Sequence, residues 1–178
     1  MVNIENNKEI SESALLYYSM LMEPKLSFDY LNRHKVDSHG IPFEARKYQV
    51  DYEFGLTMNN SIVIAGGRSV SKSFTIAHQV FKWSITHSGL SCGIIVKNEV
   101  HARGLINYLN EYFTTSEFTN FFYVSFDKKN RTFHLSNGNT IEFRIAGSDR
   151  TGGTTLVAGH FNFLIIDEAQ LMYATTLP

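Results

Sequence analysis

The 178-residue chain contains only one cysteine, Cys92. A single thiol cannot form a disulfide within the chain, which excludes a small fold held together by disulfides and is typical of proteins from a reducing cytoplasm. A strong charge of one sign is also missing, because sixteen basic residues stand against seventeen acidic ones, for a net charge of −1. Binding to a polyanion such as DNA would therefore need a local basic patch.

Long hydrophobic runs and metal-binding patterns are missing as well. No stretch approaches eighteen consecutive apolar residues, so we expect no membrane helix and no membrane partner. The seven histidines show neither an HxxxH nor a Cys-His spacing, which argues against a zinc site built from protein ligands. With 43% hydrophobic residues, the chain instead predicts a globular protein with a substantial core.

A glycine-rich stretch follows the apolar run 61–64, which we interpret as a buried strand, and leads into a helical pattern. It reads Ala65-Gly66-Gly67-Arg68-Ser69-Val70-Ser71-Lys72-Ser73. This order is close to the phosphate-binding loop G-x-x-x-x-G-K-[ST], whose backbone N–H groups surround a β-phosphate at a helix N-terminus. Lys72 would reach the β- and γ-phosphates of ATP, and the Ser73 hydroxyl would take one Mg²⁺ position. Ser71 replaces the last glycine, and its Cβ would lower the affinity or open the loop slightly.

A second motif ends in two carboxylates. The apolar run Phe163-Leu164-Ile165-Ile166 is followed by Asp167 and Glu168, which is typical of a central parallel strand with its chemistry at the carboxyl end. Asp167 would hold Mg²⁺ through water, and Glu168 would orient and deprotonate the attacking water. Either motif alone also fits a strand that binds nothing. Both together, in this order, predict an ATP site.

These residues carry a family resemblance. The arginine four residues before Lys72, the Asp-Glu-Ala at 167–169 and the aromatic-Gln pair Tyr48-Gln49 together resemble the ATPase domain of the large terminase of tailed bacteriophages, over about residues 43–172. The resemblance implies an α/β P-loop NTPase fold of the RecA/helicase type, with a mainly parallel sheet and helices on both faces. It also implies a ring-shaped homo-oligomeric motor that packages double-stranded DNA into procapsids in the host cytoplasm, with portal and small terminase subunit as partners.

The same resemblance suggests further site residues. Gln49 would read the adenine edge, although a solvent-facing glutamine on an amphipathic helix is the plain alternative. Arg68 would sense the γ-phosphate within its own subunit, and Arg150 would act as an arginine finger towards a neighbour. Arg150 belongs to the loop 147–155, which is either at a subunit boundary or a flexible connection.

The remaining elements are predicted from periodicity. Residues 1–41 would form a helical appendage with a helix that Pro24 stops and a second short helix near Phe28, and residues 42–178 would form the ATPase core. Within the core we expect a helix from Pro42 to about Met58, a helix after the loop that ends at Ser88-Gly89, a strand at 91–96, another helix, and a hairpin with a type I′ turn at Asn137-Gly138. Three side chains just past strand 91–96 would form a DNA patch or simply a solvated helix start: Lys97, His101 and Arg103.

Only ten residues follow Glu168 (178 − 168), so the resemblance leads us to expect the coupling motif and the later strands of a terminase ATPase to be absent from this sequence. Two alternatives therefore stay open: a helicase-type ATPase, and a nucleotide-binding assembly module that does not turn over ATP.

Overall fold

The computed structural model describes residues 18–19, 21–36, 39–64, 71–115, 124–146 and 160–169. The chain divides into two compact units, Met1–Gly66 and Gly67–Pro178. This division falls inside the predicted core, and the predicted domain boundary between residues 41 and 42 stays a prediction. No helix among the described residues is long and apolar enough to cross a membrane.

In the first unit, helix α1 spans Pro24–Leu31 and buries Phe28 and Leu31. The helical residues 18–19 and 21–22 end before Pro24, as predicted. Pro24 also begins α1, and the Glu23 carboxylate caps this helix by accepting from the Leu26 N–H. Proline suits the first turn, where its missing N–H has no partner to lose. The second predicted helix, near Phe28, is confirmed.

Helix α2 spans Lys47–Met58, so the predicted start at Pro42 is wrong. Pro42 instead forms an antiparallel bridge with Val36, and the Phe43 N–H donates to the Lys35 carbonyl at 2.9 Å. The Ala45 N–H donates to Asp29 Oδ1 on α1 at 2.7 Å. These backbone contacts hold the chain extended until Arg46 and delay the helix.

The apolar run Ser61–Ile64 forms no strand, contrary to prediction, and Val63 is 93% exposed. A strand needs a partner for its backbone hydrogen bonds, and the described part of the first unit offers none at this point.

The second unit begins with the elements that the sequence predicts. Helix α3 spans Lys72–Thr86, strand β1 spans Ser91–Val96 and helix α4 spans Glu99–Thr115. Four more strands follow: β2 (Val124–Asp127), β3 (Thr132–Leu135), β4 (Thr140–Ile145) and β5 (Phe163–Ile166).

The five strands form one sheet in the order β2-β3-β4-β1-β5. Strand β1 runs parallel to β4 and β5, whereas β2–β3 and β3–β4 are antiparallel. The sheet is therefore mixed, and the prediction of a mainly parallel sheet is too strong. In the described sheet β5 lies at the end of the strand order and not at its centre. Its side chains alternate in burial accordingly, with Leu164 56% and Ile166 48% exposed.

Both described helices of this unit pack on one face of the sheet. Tyr112 of α4 is fully buried and stacks on Phe81 of α3, with ring centroids 4.8 Å apart. Phe113 of α4 contacts Phe133 of β3, and Trp83 of α3 stacks on Phe163 of β5 at 4.2 Å. Helices on both faces, as the family resemblance implies, are thus not seen within the described part of this unit.

The β3–β4 hairpin is confirmed, but its turn is not type I′. Gly138 has φ +84° while Asn137 has no positive φ, and the Gly138 N–H donates to the Leu135 carbonyl at 3.0 Å. The Leu135 N–H donates to the Asn139 carbonyl at 2.9 Å, so the loop inside this hydrogen-bonded pair has three residues, 136–138, and ends in a left-handed glycine. The Asn137 and Asn139 side chains then donate to the carbonyls of Ser84 and His87 and close the C-terminal end of α3.

Candidate functional site

Two chain segments meet at the carboxyl ends of β1 and β5. Because these strands are parallel, with Ile95 opposite Ile166, the residues that follow them lie at the same edge of the sheet. Asp167 follows β5 directly, and its backbone N–H donates to the Ile95 carbonyl at 2.9 Å. The backbone of Asp167 is therefore fixed by the sheet itself.

The N-terminus of α3 supplies the other side of the site. Its N-cap residue, Ser71, has φ +53° and ψ +30°, which is the left-handed region. The sequence pattern places a glycine at this position because glycine adopts that region without strain. Ser71 thus keeps the backbone conformation of the expected glycine while carrying a Cβ. Its carbonyl accepts from both the N–H and the hydroxyl of Thr75 at 3.0 Å, so the first turn of α3 is well formed.

The two motifs touch through a side-chain hydrogen bond. Ser73 Oγ donates to Asp167 Oδ2 at 3.2 Å, and these residues are 94 positions apart in the chain. Asp167 is 4% exposed and Ser73 is half-buried. Lys72 precedes Ser73 as the first residue of α3, where the helix N-terminus adds partial positive charge. The first turn of α3 thus carries Lys72 and the Ser73 hydroxyl that contacts the Asp167 carboxylate.

Burial is the main influence on Asp167, and it raises the pKa of the carboxyl above its usual 3.8. The Ser73 hydroxyl opposes this by hydrogen-bonding the charged form, while the negative charge of Glu168 raises the pKa further. His101 acts in the opposite direction and lowers it. A buried carboxylate is suited to a cation, because a bound divalent ion would neutralise it.

Glu168 follows with φ +58°, a left-handed conformation that is uncommon for a residue with a side chain. The chain therefore turns sharply after Asp167 instead of continuing β5. Glu168 is half-buried, in contrast to the buried Asp167. The two adjacent carboxylates consequently lie in different environments, as the assignment of two separate roles to them requires.

The donor set fits Mg²⁺. The Ser73 hydroxyl and the Asp167 carboxylate are hard oxygen ligands, and Mg²⁺ commonly takes one or two protein ligands and completes its octahedron with water and phosphate oxygens. Among the described residues, no group of three or more His, Cys, Asp or Glu side chains could hold a metal. Any cation at this edge would thus rely on water and on a bound ligand.

Gln49, the predicted adenine reader, belongs to the first unit and is 3% exposed. The alternative of a solvent-facing glutamine is therefore wrong. Its Oε1 accepts from the Arg46 N–H at 2.9 Å and thereby caps the first turn of α2. Adenine recognition by Gln49 stays a prediction.

Several predicted site residues lie outside the described residues: Gly66, Gly67, Arg68, Ser69, Val70 and Arg150. The same holds for the whole loop 147–155. Their assigned roles stay predictions.

His101 is a residue whose place at the site sequence reasoning missed. It was grouped with Lys97 and Arg103, but these two are exposed whereas His101 is half-buried and acts electrostatically on Asp167. The sequence shows that α4 begins shortly after β1, but the proximity of His101 to Asp167 also depends on the pairing of β1 with β5, which the sequence does not show.

A comparison of the sequence with models of known protein families gives no match, and a comparison with curated proteins gives no significant match either.

Proposed function

We propose that this chain binds Mg²⁺-ATP between the N-terminus of α3 and the end of β5, and that it hydrolyses the γ-phosphate. The observation that carries this proposal is the Ser73–Asp167 hydrogen bond at 3.2 Å, because it joins the two motifs that were assigned to one metal on independent sequence grounds. Burying a carboxylate costs free energy, and a strand-loop-helix turn that binds no ligand would not offset the cost of burying Asp167 against Ser73.

Each residue then has one role. Lys72 places a positive charge near the β- and γ-phosphates, and the backbone of the preceding loop surrounds them. Ser73 and Asp167 hold Mg²⁺, which screens the phosphate charge when it is bound. Glu168, one residue further on, orients the attacking water and accepts its proton. Arg68 within the subunit or Arg150 from a neighbour would stabilise the charge that develops on the γ-phosphate.

We propose further that this ATPase belongs to a DNA-packaging motor. The support is the motif set of Tyr48-Gln49, Arg68, Lys72 and Asp167-Glu168-Ala169, together with an α/β fold whose site lies at the carboxyl end of parallel strands. Double-stranded DNA, a homo-oligomeric ring, a portal and a small terminase subunit are the partners that follow from it. Since the net charge of this chain is −1, DNA binding by the motor would depend on a local basic patch and not on the overall charge.

A double-mutant cycle on Mg²⁺-ATP affinity tests the site. Ser73→Ala and Asp167→Asn should each weaken binding in Mg²⁺, and the double variant should be little weaker than either one, because both remove the same metal contact. The same three variants should differ little in EDTA. Strictly additive losses with equal size in Mg²⁺ and EDTA would show that the two residues do not share a metal.

A further inference from the structure

An exposed basic turn joins β2 to β3. It reads Asp127-Lys128-Lys129-Asn130-Arg131, and both lysines are exposed. Strand β3 runs antiparallel to β4, with Thr132 opposite Glu142, and β4 runs parallel to β1. The turn before β3 therefore lies at the edge of the sheet where β4 and β1 end, which is also the edge of the candidate site.

The turn is shaped by the carboxylate of Asp127. Its Oδ1 accepts from the backbone N–H groups of Lys129 and Asn130 at 2.8 and 3.1 Å, and its Oδ2 accepts from the side-chain amide of Asn130 at 2.7 Å. The one acidic residue of the turn is thus engaged by the turn itself. Neither Lys128 nor Lys129 forms an ion pair within the described residues.

An ion pair connects this turn to the start of α4. Arg131 Nη2 lies 3.1 Å from Glu99 Oε2, and Arg131 Nε donates to Glu99 Oε1 at 3.3 Å. The Arg131 carbonyl also accepts from the Phe143 N–H of β4 at 3.0 Å, so the turn is fixed to the sheet. Arg103 follows Glu99 by four residues and therefore lies on the same side of α4, one helical turn further on.

The turn and the first part of α4 thus form one basic surface, which comprises Arg103, Lys128, Lys129 and Arg131. These four cations stand against two carboxylates, Glu99 and Asp127, for a local net charge of +2 (4 − 2), whereas the whole chain carries −1. Arg103 is exposed and forms no ion pair within the described residues. A local excess of exposed positive charge favours a polyanionic partner.

Gly104, next to Arg103, is a second indication of a partner on α4. It lies exposed in the interior of the helix, and no atom of the described residues lies within 4 Å of the place that a Cβ would take. Glycine in a helix interior is destabilising relative to alanine, and packing within the described residues does not require one here. A glycine does, however, let a ligand approach the helix backbone closely.

We propose that the basic surface binds the phosphate backbone of double-stranded DNA, with Gly104 at the place of closest approach. This inference rests on the proposed function, which supplies DNA as the polyanion. Arg103 is one of the residues that the sequence alone suggested for a DNA contact, and the structure adds the β2–β3 turn through the pair of Arg131 and Glu99. Contacts to phosphates position a duplex without reading its sequence, so the binding has no sequence preference.

Fluorescence anisotropy with a labelled DNA duplex of mixed sequence tests the surface on the full chain. The titrations are done in EDTA and without nucleotide, so their outcome does not depend on the ATP site. The test variants are the double variant Lys128→Ala/Lys129→Ala and the single variant Gly104→Gln. Lys25→Ala/Lys47→Ala is the matched control, because it removes the same charge from exposed lysines of the first unit.

We expect Lys128→Ala/Lys129→Ala to weaken duplex binding about tenfold or more at low salt. It should also make the slope of log K against log salt shallower by about 1.8, since each phosphate contact contributes about 0.9. The control pair should leave that slope nearly unchanged. Gly104→Gln should bind DNA more weakly while its Tm stays the same or rises, because glutamine is the better helix former.

Equal losses in the test and control double variants, or no duplex binding by the parent, would overturn the inference, and neither result bears on ATP binding. A Gly104→Gln variant with the affinity of the parent would overturn the role assigned to α4. Polyglutamate that displaces the labelled duplex as well as unlabelled DNA does would also overturn the inference, because the surface would then suit an acidic protein equally.

Discussion

Ser71 offers a quantitative test of the loop geometry. With φ +53°, it occupies a region that costs a residue with a Cβ about 1–2 kcal/mol. Glycine removes that strain but loses about 0.5–1 kcal/mol more backbone entropy on folding. Ser71→Gly should therefore stabilise the protein by up to about 1.5 kcal/mol, which corresponds to a rise of up to roughly 6 °C in Tm for a chain of this size.

Thermal unfolding by circular dichroism measures the change, and Ser71→Ala is the matched control. The Ser71 side chain makes no capping hydrogen bond. Alanine keeps the Cβ and removes only the hydroxyl, so it should leave Tm nearly unchanged. In calorimetry, Ser71→Gly should also bind Mg²⁺-ATP at least as tightly as the parent. A glycine variant that is less stable than both the parent and the alanine variant would refute the argument from strain.

Three further outcomes are expected. In the absence of Mg²⁺, the raised pKa of Asp167 means that stability falls as pH rises from about 3.8 through the raised value, because the folded state holds the proton longer than the unfolded state. Asp167→Asn should flatten that part of a Tm–pH profile and remove the stabilisation by Mg²⁺-ATP. A profile that is unchanged in the variant would show that the Asp167 carboxyl does not cause this pH dependence. Glu168→Gln should keep Mg²⁺-ATP affinity and lose hydrolysis in any assembly that turns over ATP, as a phosphate-release assay would report; turnover at the parent rate would mean that Glu168 is not the base. Asn139→Ala should lower the free energy of unfolding, measured in urea, by about 2–4 kcal/mol. The buried Asn139 side chain makes hydrogen bonds to the backbones of Ser84, His87 and Leu90, and alanine removes all of them. Asn130→Ala, at an exposed position, is the control and should change the free energy of unfolding by less.

The elements that sequence patterns predicted well are those with local causes. Helix α3 follows from apolar residues at helical spacing, and β1 matches the predicted range 91–96 residue for residue. The position of Asp167 also followed from the sequence, since an apolar run that ends in a carboxylate implies a strand end. The hydrogen bond between Ser73 and Asp167 agrees with the joint interpretation of the two motifs.

The features that sequence patterns missed depend on partners far away in the chain. Strand β2 was not predicted, and the run 61–64 was predicted as a strand that the structure does not form. An apolar run gives the capacity for a strand, but pairing decides whether it forms, and pairing is not local. The position of His101 was missed for a similar reason, because its proximity to Asp167 arises from the neighbouring strands β1 and β5.

The central claim is that Mg²⁺-ATP binds at the N-terminus of α3. Isothermal titration of the chain with ATP in Mg²⁺ tests it most directly, with Lys72→Ala as the variant and Lys97→Ala as a control lysine that is exposed after β1. We expect saturable binding to the parent and to Lys97→Ala, and loss of most of the affinity in Lys72→Ala, because the lysine charge next to the phosphates is gone. Equal affinity in the parent and in Lys72→Ala, or no binding by any of the three proteins, would contradict the account.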